Sequence, residues 1–396
     1  MTARRPLLVH VTTTDISLEL LLGPQLEAFA AAGYDVRGVS APGPYVDRLH
    51  ARGIEHVPLA HATRAMAPHR DVMLLAELVR VFRALRPDIV HTHNPKPGVY
   101  GRIAARIARV PVVVNTVHGL YAQPTDPVLR RAVVYSLERV AATVSSAELV
   151  QNPEDVPVLR RLRIPDRKLV LLGNGIDLDR FDPSRVRAAD VRAARRELGA
   201  ECDDDVVVGL VGRLVREKGY AEVFDAAGIL RARGVPTRFA VVGPDDPDKH
   251  DALDEDLRKR GERAGVRFLG ARDDVERLYP AMDVYVLASH REGFPRSAME
   301  AAAMGVPIVA TDIRGCRQVV DHGVTGLLVP VRDAPALANA VERLARDPSL
   351  RGRMGAAARR KAVEAFDQRR CIEITLATYE RLVRGRVPRR ARDRVG

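Results

Sequence analysis

Tryptophan is absent from this 396-residue chain, and aromatic residues of every kind make up only 4% of it. That scarcity argues against the base-stacking platforms of nucleic-acid modules, and no zinc-finger or RNA-recognition signature offsets it. Cysteine is nearly missing too. Cys202, Cys316 and Cys371 are widely spaced and fit neither a metal-ligand pattern nor a disulfide framework, which suits a reducing, cytoplasmic compartment. Long apolar runs are also lacking. Arg4 and Arg5 precede only Leu7 to Val11 before Thr12-Thr13-Thr14-Asp15 ends the run, too little for the core of a signal peptide. With no later stretch long enough to span a bilayer, neither secretion nor membrane crossing is expected.

What the chain has in excess is arginine. The net charge is +12, yet lysine supplies only Lys96, Lys168, Lys218, Lys249, Lys259 and Lys361 of the 63 basic residues. Biased base composition explains part of that skew. An anionic membrane surface explains another part, because Arg102, Arg106 and Arg109 recur at helical spacing and the segment from Arg381 to Gly396 is rich in arginine. A plain solvated helix face accounts for the same residues equally well.

Short β-branched runs alternate with longer segments of helical period, the pattern of parallel βαβ units. Strands are expected at Leu7 to Val11, Asp35 to Val39, Ile89 to Thr92, Val112 to Thr116 and Lys168 to Leu172. The rhythm restarts at Val206 to Val211, Arg238 to Val242, Val266 to Leu269, Val284 to Leu287 and Ile308 to Ala310. A chain of this length divides into two domains. The reading is an α/β protein of two Rossmann-like, doubly wound domains facing a central cleft: residues 1–172, a hinge at 173–200 that opens on Gly173-Asn174-Gly175, and residues 201–371. The terminal helix at about 372–396 packs back on the first domain.

Two segments carry chemistry. In the first, a buried strand runs into Gly212-Arg213 with Lys218 five residues on, so a glycine turn lets backbone approach a phosphate while guanidinium and ammonium supply donors to two phosphoryl groups. An ordinary strand-to-helix turn with exposed basic residues is the alternative. In the second, Glu292 lies on the loop after a strand and Glu300 lies in a helix of small residues. Each carboxylate can accept paired hydrogen bonds from vicinal hydroxyls, one from a ribose and one from a transferred sugar. The amides of Gly293 and Phe294, next to Pro295 at a helix N-terminus, can add phosphate or sugar contacts. The acidic runs Asp203 to Asp205 and Asp245-Asp246 read as solvated loops.

These motifs, VGRLVREKG, EGFPRSAME, AMGVPIVATDIRG, HGVTGLLVP and the NGID seam, resemble those of the retaining GT-B glycosyltransferases of family 4, in order and spacing, over most of residues 168–335. The resemblance implies transfer of a sugar from a nucleotide diphosphate sugar, by family frequency a UDP-sugar, with retention, no metal and no other cofactor. It assigns Arg213 and Lys218 to the donor diphosphate, Glu300 to the ribose, and Glu292 with the Gly293 and Phe294 amides to the donor sugar. Ala271 and Arg272 would receive the nucleobase. In the first half, His118 looks like the family's acceptor-side histidine at the reaction centre. His93 and Asn94 end the preceding strand, and Thr14 and Asp15 stand where many members carry a Gly-Gly loop, as acceptor or phosphate ligands. The implied acceptor is a glycan, polyprenyl-linked or capsular, met at the inner face of the cell membrane. A soluble small-molecule acceptor and a sugar-nucleotide 2-epimerase remain as alternatives.

Overall fold

The computed structural model describes residues 4–63, 68–93, 95–122, 126–247, 249 and 251–385. The described residues fall into two compact units, one from Met1–Gly173 together with Arg369–Gly396 and one from Asn174–Gln368.

The first unit is built on seven parallel strands: β1 (Leu7–Thr14), β2 (Asp35–Ala41), β3 (Glu55–Pro58), β4 (Ile89–His93), β5 (Val112–Val117), β6 (Ala147–Val150) and β7 (Leu169–Leu171). Their order across the sheet is β3-β2-β1-β4-β5-β6-β7. Helices cover both faces, so the strands read as continuous apolar runs rather than as alternating ones. Along β1, Leu8 packs with Leu18, Leu26 and Phe29 on one face, while Leu7, Val9 and Val11 pack with Leu74, Leu78 and Phe82 of the helix Pro68–Leu85 on the other. Each such side chain contributes about 1.5–3 kcal/mol on burial. The helix Gln368–Arg384 belongs to this unit, burying Cys371, Thr375, Thr378 and Tyr379 along one stripe of helical period.

The second unit repeats the plan with six parallel strands: β8 (Val206–Val211), β9 (Thr237–Val242), β10 (Val266–Phe268), β11 (Val284–Leu287), β12 (Ile308–Thr311) and β13 (Gly326–Val329). They are ordered β10-β9-β8-β11-β12-β13. Residues 174–200 are not a free linker. Ile176, Phe181, Ala194 and Leu198 are buried in this unit's core, because four apolar side chains on one stretch gain more from burial than a loose hinge would leave them. The unit ends at Gln368 rather than at residue 371, where the returning chain pairs with the NGID segment: Ile176 N donates to Phe366 O and Gln368 N to Ile176 O. Gly175 is required there, since a Cβ would lie 2.6 Å from Gln368 Cα.

Two expectations about charge are corrected. Arg102 does not share an exposed face with Arg106 and Arg109. It is fully buried, donating to Glu148 and Glu138 at 2.8 Å each, and Asn115 and Ser145 complete the hydrogen bonding of Glu148. Burial pushes the Glu148 carboxyl up, against the opposing pull of the Arg102 guanidinium. Nor is Asp246 solvated; it is buried beside Arg213. No described helix is long and apolar enough to cross a membrane.

Candidate functional site

In the second unit the chemistry gathers after β8 and β11. A single turn at Arg216–Lys218 follows β8, closed by Gly219 at φ +75°, where a side chain would meet Ala288 O at 2.0 Å. That close approach brings the Lys218 stem against the loop after β11. Lys218 Nζ lies 2.5 Å from Glu292 Oε1, and Ser289 donates to the same oxygen at 2.7 Å. Gly212 contributes backbone: its N–H bonds Val242 O, and its carbonyl accepts from the buried Tyr220 hydroxyl at 3.0 Å. Arg213 forms an ion pair with Asp246.

Glu300 sits inside the helix Arg296–Ala303 and accepts from the Tyr279 hydroxyl at 2.8 Å. Burial raises its carboxyl, and nearby Arg296 opposes the shift. Ahead of this helix lie Gly293, Phe294 and the buried Pro295. The Phe294 carbonyl accepts from Asn174 Nδ2 at 3.1 Å, so the NGID segment fixes the loop ahead of this helix. Ala271 is exposed. Arg272 is committed within the protein, gripping Asp274 through two nitrogens and Glu197 through a third at 3.0 Å, which leaves this loop its backbone for a ligand.

In the first unit β1, β4 and the turn after β5 hold a column of imidazoles. His10 Nδ1 and His93 Nε2 are 3.0 Å apart, His93 Nδ1 and His118 Nε2 3.0 Å, and His118 Nδ1 lies 3.1 Å from Gln151 Oε1. Because the Gln151 oxygen only accepts, His118 donates from Nδ1 and accepts at Nε2, and the same sense runs through His93 to His10. His91 bonds Tyr379 at 2.5 Å and Thr116 at 2.7 Å. Burial lowers His10 to about 3 and holds His91 and His93 well below the usual imidazole range, with the neighbouring imidazoles adding to it. The nitrogens of His10, His91 and His93 lie within 4.8 Å of one another, a spacing a metal ion can bridge. Their existing hydrogen bonds already account for those nitrogens.

Asp15 stands apart from this column. Its buried carboxylate accepts from the Ile16 and Tyr45 amides at 2.8 and 2.7 Å, so it shapes its own loop rather than reaching for a ligand. Thr14 bonds Ser17 at 3.4 Å. Asn94 lies outside the described residues. Sequence reasoning missed Asp246, Ser289, Asn174 and Tyr279 as partners. Asn174 stands inside the NGID motif and Ser289 three residues before EGFPRSAME, whereas nothing local marks the other two.

The family described as "Glycosyl transferases group 1" matches residues 191–361, and "Glycosyl transferase 4-like" matches residues 10–147. The capsular polysaccharide biosynthesis glycosyltransferase CapM of Staphylococcus aureus is 28% identical, over 90% of this chain and 92% of its own. An Escherichia coli UDP-Gal:alpha-D-GlcNAc-diphosphoundecaprenol alpha-1,3-galactosyltransferase is 32% identical, over 75% of this chain and 76% of its own. Among solved structures, Anabaena Alr3699/HepE in complex with UDP superposes with a TM-score of 0.76 at 22% identity, covering 96% of this chain and 99% of its own. The chain belongs to the group 1 glycosyltransferases, and its two parallel-sheet units are those of the GT-B fold.

Proposed function

We propose that this glycosyltransferase moves a hexose from a UDP-sugar, with retention and without a metal ion, onto a hydroxyl of a lipid-linked or capsular glycan precursor. The observation that carries the reading is the meeting of Lys218 and Glu292, with Arg213 on the same connection after β8, three residues before the turn Arg216–Lys218. As the bond from the sugar to the diphosphate breaks, negative charge builds on the leaving oxygens. Fixed cations there act on the transition state more than on the ground state. Two basic side chains neutralise the diphosphate in place of a divalent cation. Glu292, already shared by Lys218 and Ser289, orients sugar hydroxyls rather than attacking carbon, in keeping with front-side displacement. The donor assignment is supported by the galactosyltransferase relative and the UDP-bound structural neighbour, and the acceptor by the capsular and diphosphoundecaprenol relatives.

The test is thermal stabilisation by UDP, GDP, ADP and their sugar conjugates, with and without magnesium. A ligand at a hundredfold excess over its dissociation constant adds about 2.7 kcal/mol. A shift with UDP that is indifferent to magnesium and lost in Glu300→Ala supports the reading; no shift with any nucleotide overturns it.

The acceptor side of the proposal places the first unit on an anionic membrane face, where a lipid-linked glycan resides. On the helix Val128–Val144, Leu129, Val133, Leu137 and Val140 form one apolar stripe, and Leu129 is 78% exposed. Arg130 and Arg139 flank the stripe. Near the C-terminal end of this helix, Arg106, Arg109 and Arg381 line a cavity of about 790 Å³ together with Thr143 and Ser146. Two arginine-rich segments far apart in sequence meet there, and the tail beyond Gly385 lies outside the described residues. Each basic residue near an anionic surface contributes roughly 1 kcal/mol, so Arg106→Glu with Arg109→Glu is expected to weaken binding to phosphatidylglycerol vesicles by more than about tenfold. Vesicle sedimentation at low salt measures it, and equal binding by wild type to neutral phosphatidylcholine vesicles would refute the electrostatic part.

A further inference from the structure

Both cations at the diphosphate position carry a carboxylate partner of their own. The partner of Lys218 is Glu292, a residue already tied to the sugar. The partner of Arg213 is Asp246, which no motif marked. Asp246 is 9% exposed, whereas the Arg213 side chain is 40% exposed, so the acid is the fixed member and the guanidinium the open one.

The frame that fixes Asp246 is the segment that carries Arg213. Leu214 N donates to Pro244 O at 3.0 Å, Arg216 N to Asp251 O at 2.7 Å, and Leu253 N to Leu214 O at 2.9 Å. Gly243 makes the approach feasible, since a Cβ there would lie 1.9 Å from Gly212 O. Backbone thus holds the loop of Asp246 against the segment that carries Arg213, within reach of its guanidinium.

We infer that Asp246 is a built-in competitor for the leaving diphosphate, which lowers affinity for the nucleoside diphosphate product and so promotes its release. The inference rests on the placement of the donor diphosphate at Arg213. A phosphate that reaches Arg213 must share it with a carboxylate that cannot move away. The nucleoside diphosphate gains a further negative charge once its sugar is gone, so Asp246 opposes the product more than the donor. Product release limits turnover in many enzymes of this kind of cycle, and a fixed opposing charge acts on that step.

The experiment is calorimetric titration of UDP and GDP into wild type, Asp246→Asn, Asp246→Ser, Asp245→Asn and Arg213→Ala, with turnover measured alongside. Removing the opposing charge is expected to lower the UDP dissociation constant by about two- to fivefold, the worth of a partly exposed ion pair. Product inhibition rises and kcat falls with it, in both Asp246 variants. Asp245, which pairs with Arg258 at the surface, serves as the same-loop control and leaves affinity unchanged. Unchanged or weaker UDP binding in folded Asp246→Asn or Asp246→Ser overturns the inference while leaving the diphosphate site intact. Wild type that binds neither nucleotide, or Arg213→Ala that binds UDP as tightly as wild type, overturns the placement at Arg213 and the inference with it.

Discussion

Lys218→Met is expected to lower kcat for sugar transfer by about 10²–10³-fold with a much smaller change in KM, the usual loss when one preorganised stabiliser of a developing anion is removed. Methionine keeps the apolar stem that runs beside Gly212, whose built Cβ would lie 3.8 Å from Lys218 Cε, and deletes only the charge. The loop after β11 stays anchored, because Ser289 still donates to Glu292 and Asn174 still holds the Phe294 carbonyl. A change in kcat therefore reports the missing ammonium rather than a collapsed loop. The split matters: a lysine that only helped bind the donor would raise KM and leave kcat alone. Lys361→Met, which removes a surface pair with Asp321, is the matched control. Steady-state transfer from a UDP-sugar measures both, and a Lys218→Met enzyme within threefold of wild-type kcat would remove Lys218 from the chemistry.

The placement of Arg213, Lys218, Glu292 and Glu300 was legible because it depends on backbone that the sequence itself encodes. A strand ending in glycine, a basic residue next to it and another within one turn can be read locally, and so can an acid on a loop before a small-residue helix. What stayed hidden depends on partners from elsewhere. β6 was overlooked because Glu148 interrupts a four-residue strand, and only the buried Arg102, 46 residues earlier, makes a charged residue tolerable there. The same pairing hid Arg102 itself, which helical spacing had grouped with Arg106 and Arg109. Asp246 looked like one more loop acid until the strand ends placed it against Arg213. The histidines show the opposite case. His118 and His93 were singled out one by one, but a column that includes His10 and Tyr379 follows only from the order β1-β4-β5 and the return of the terminal helix to the first unit.

That column carries the second large effect, on stability as pH falls. His10, His91 and His93 are neutral in the folded state with pKa values below the range near 6.5 that they regain on unfolding. The unfolded chain therefore binds more protons, and stability must fall as pH drops through the unfolded value. His10, held to about 3, costs about 1.4 kcal/mol at pH 5.5, and His91 and His93 are shifted in the same direction and add to the loss. Glu148 in the same unit works in the opposite sense. Its raised carboxyl takes up a proton in the folded state before the unfolded chain does, which stabilises the fold as pH falls but offsets only one group against three. A domain held by roughly 5–15 kcal/mol loses a large share of its stability in this window. Calorimetric scans from pH 7.5 to 5.5 are expected to show one transition moving sharply down, that of the unit holding residues 4–173, while the unit of residues 174–368 moves less. His10→Phe, which keeps a ring against Phe29 and removes one titrating group, should make the pH slope shallower without abolishing it. A first-unit transition that stays flat over this range would mean that the imidazoles accept protons in the folded state, and the buried neutral column would be wrong.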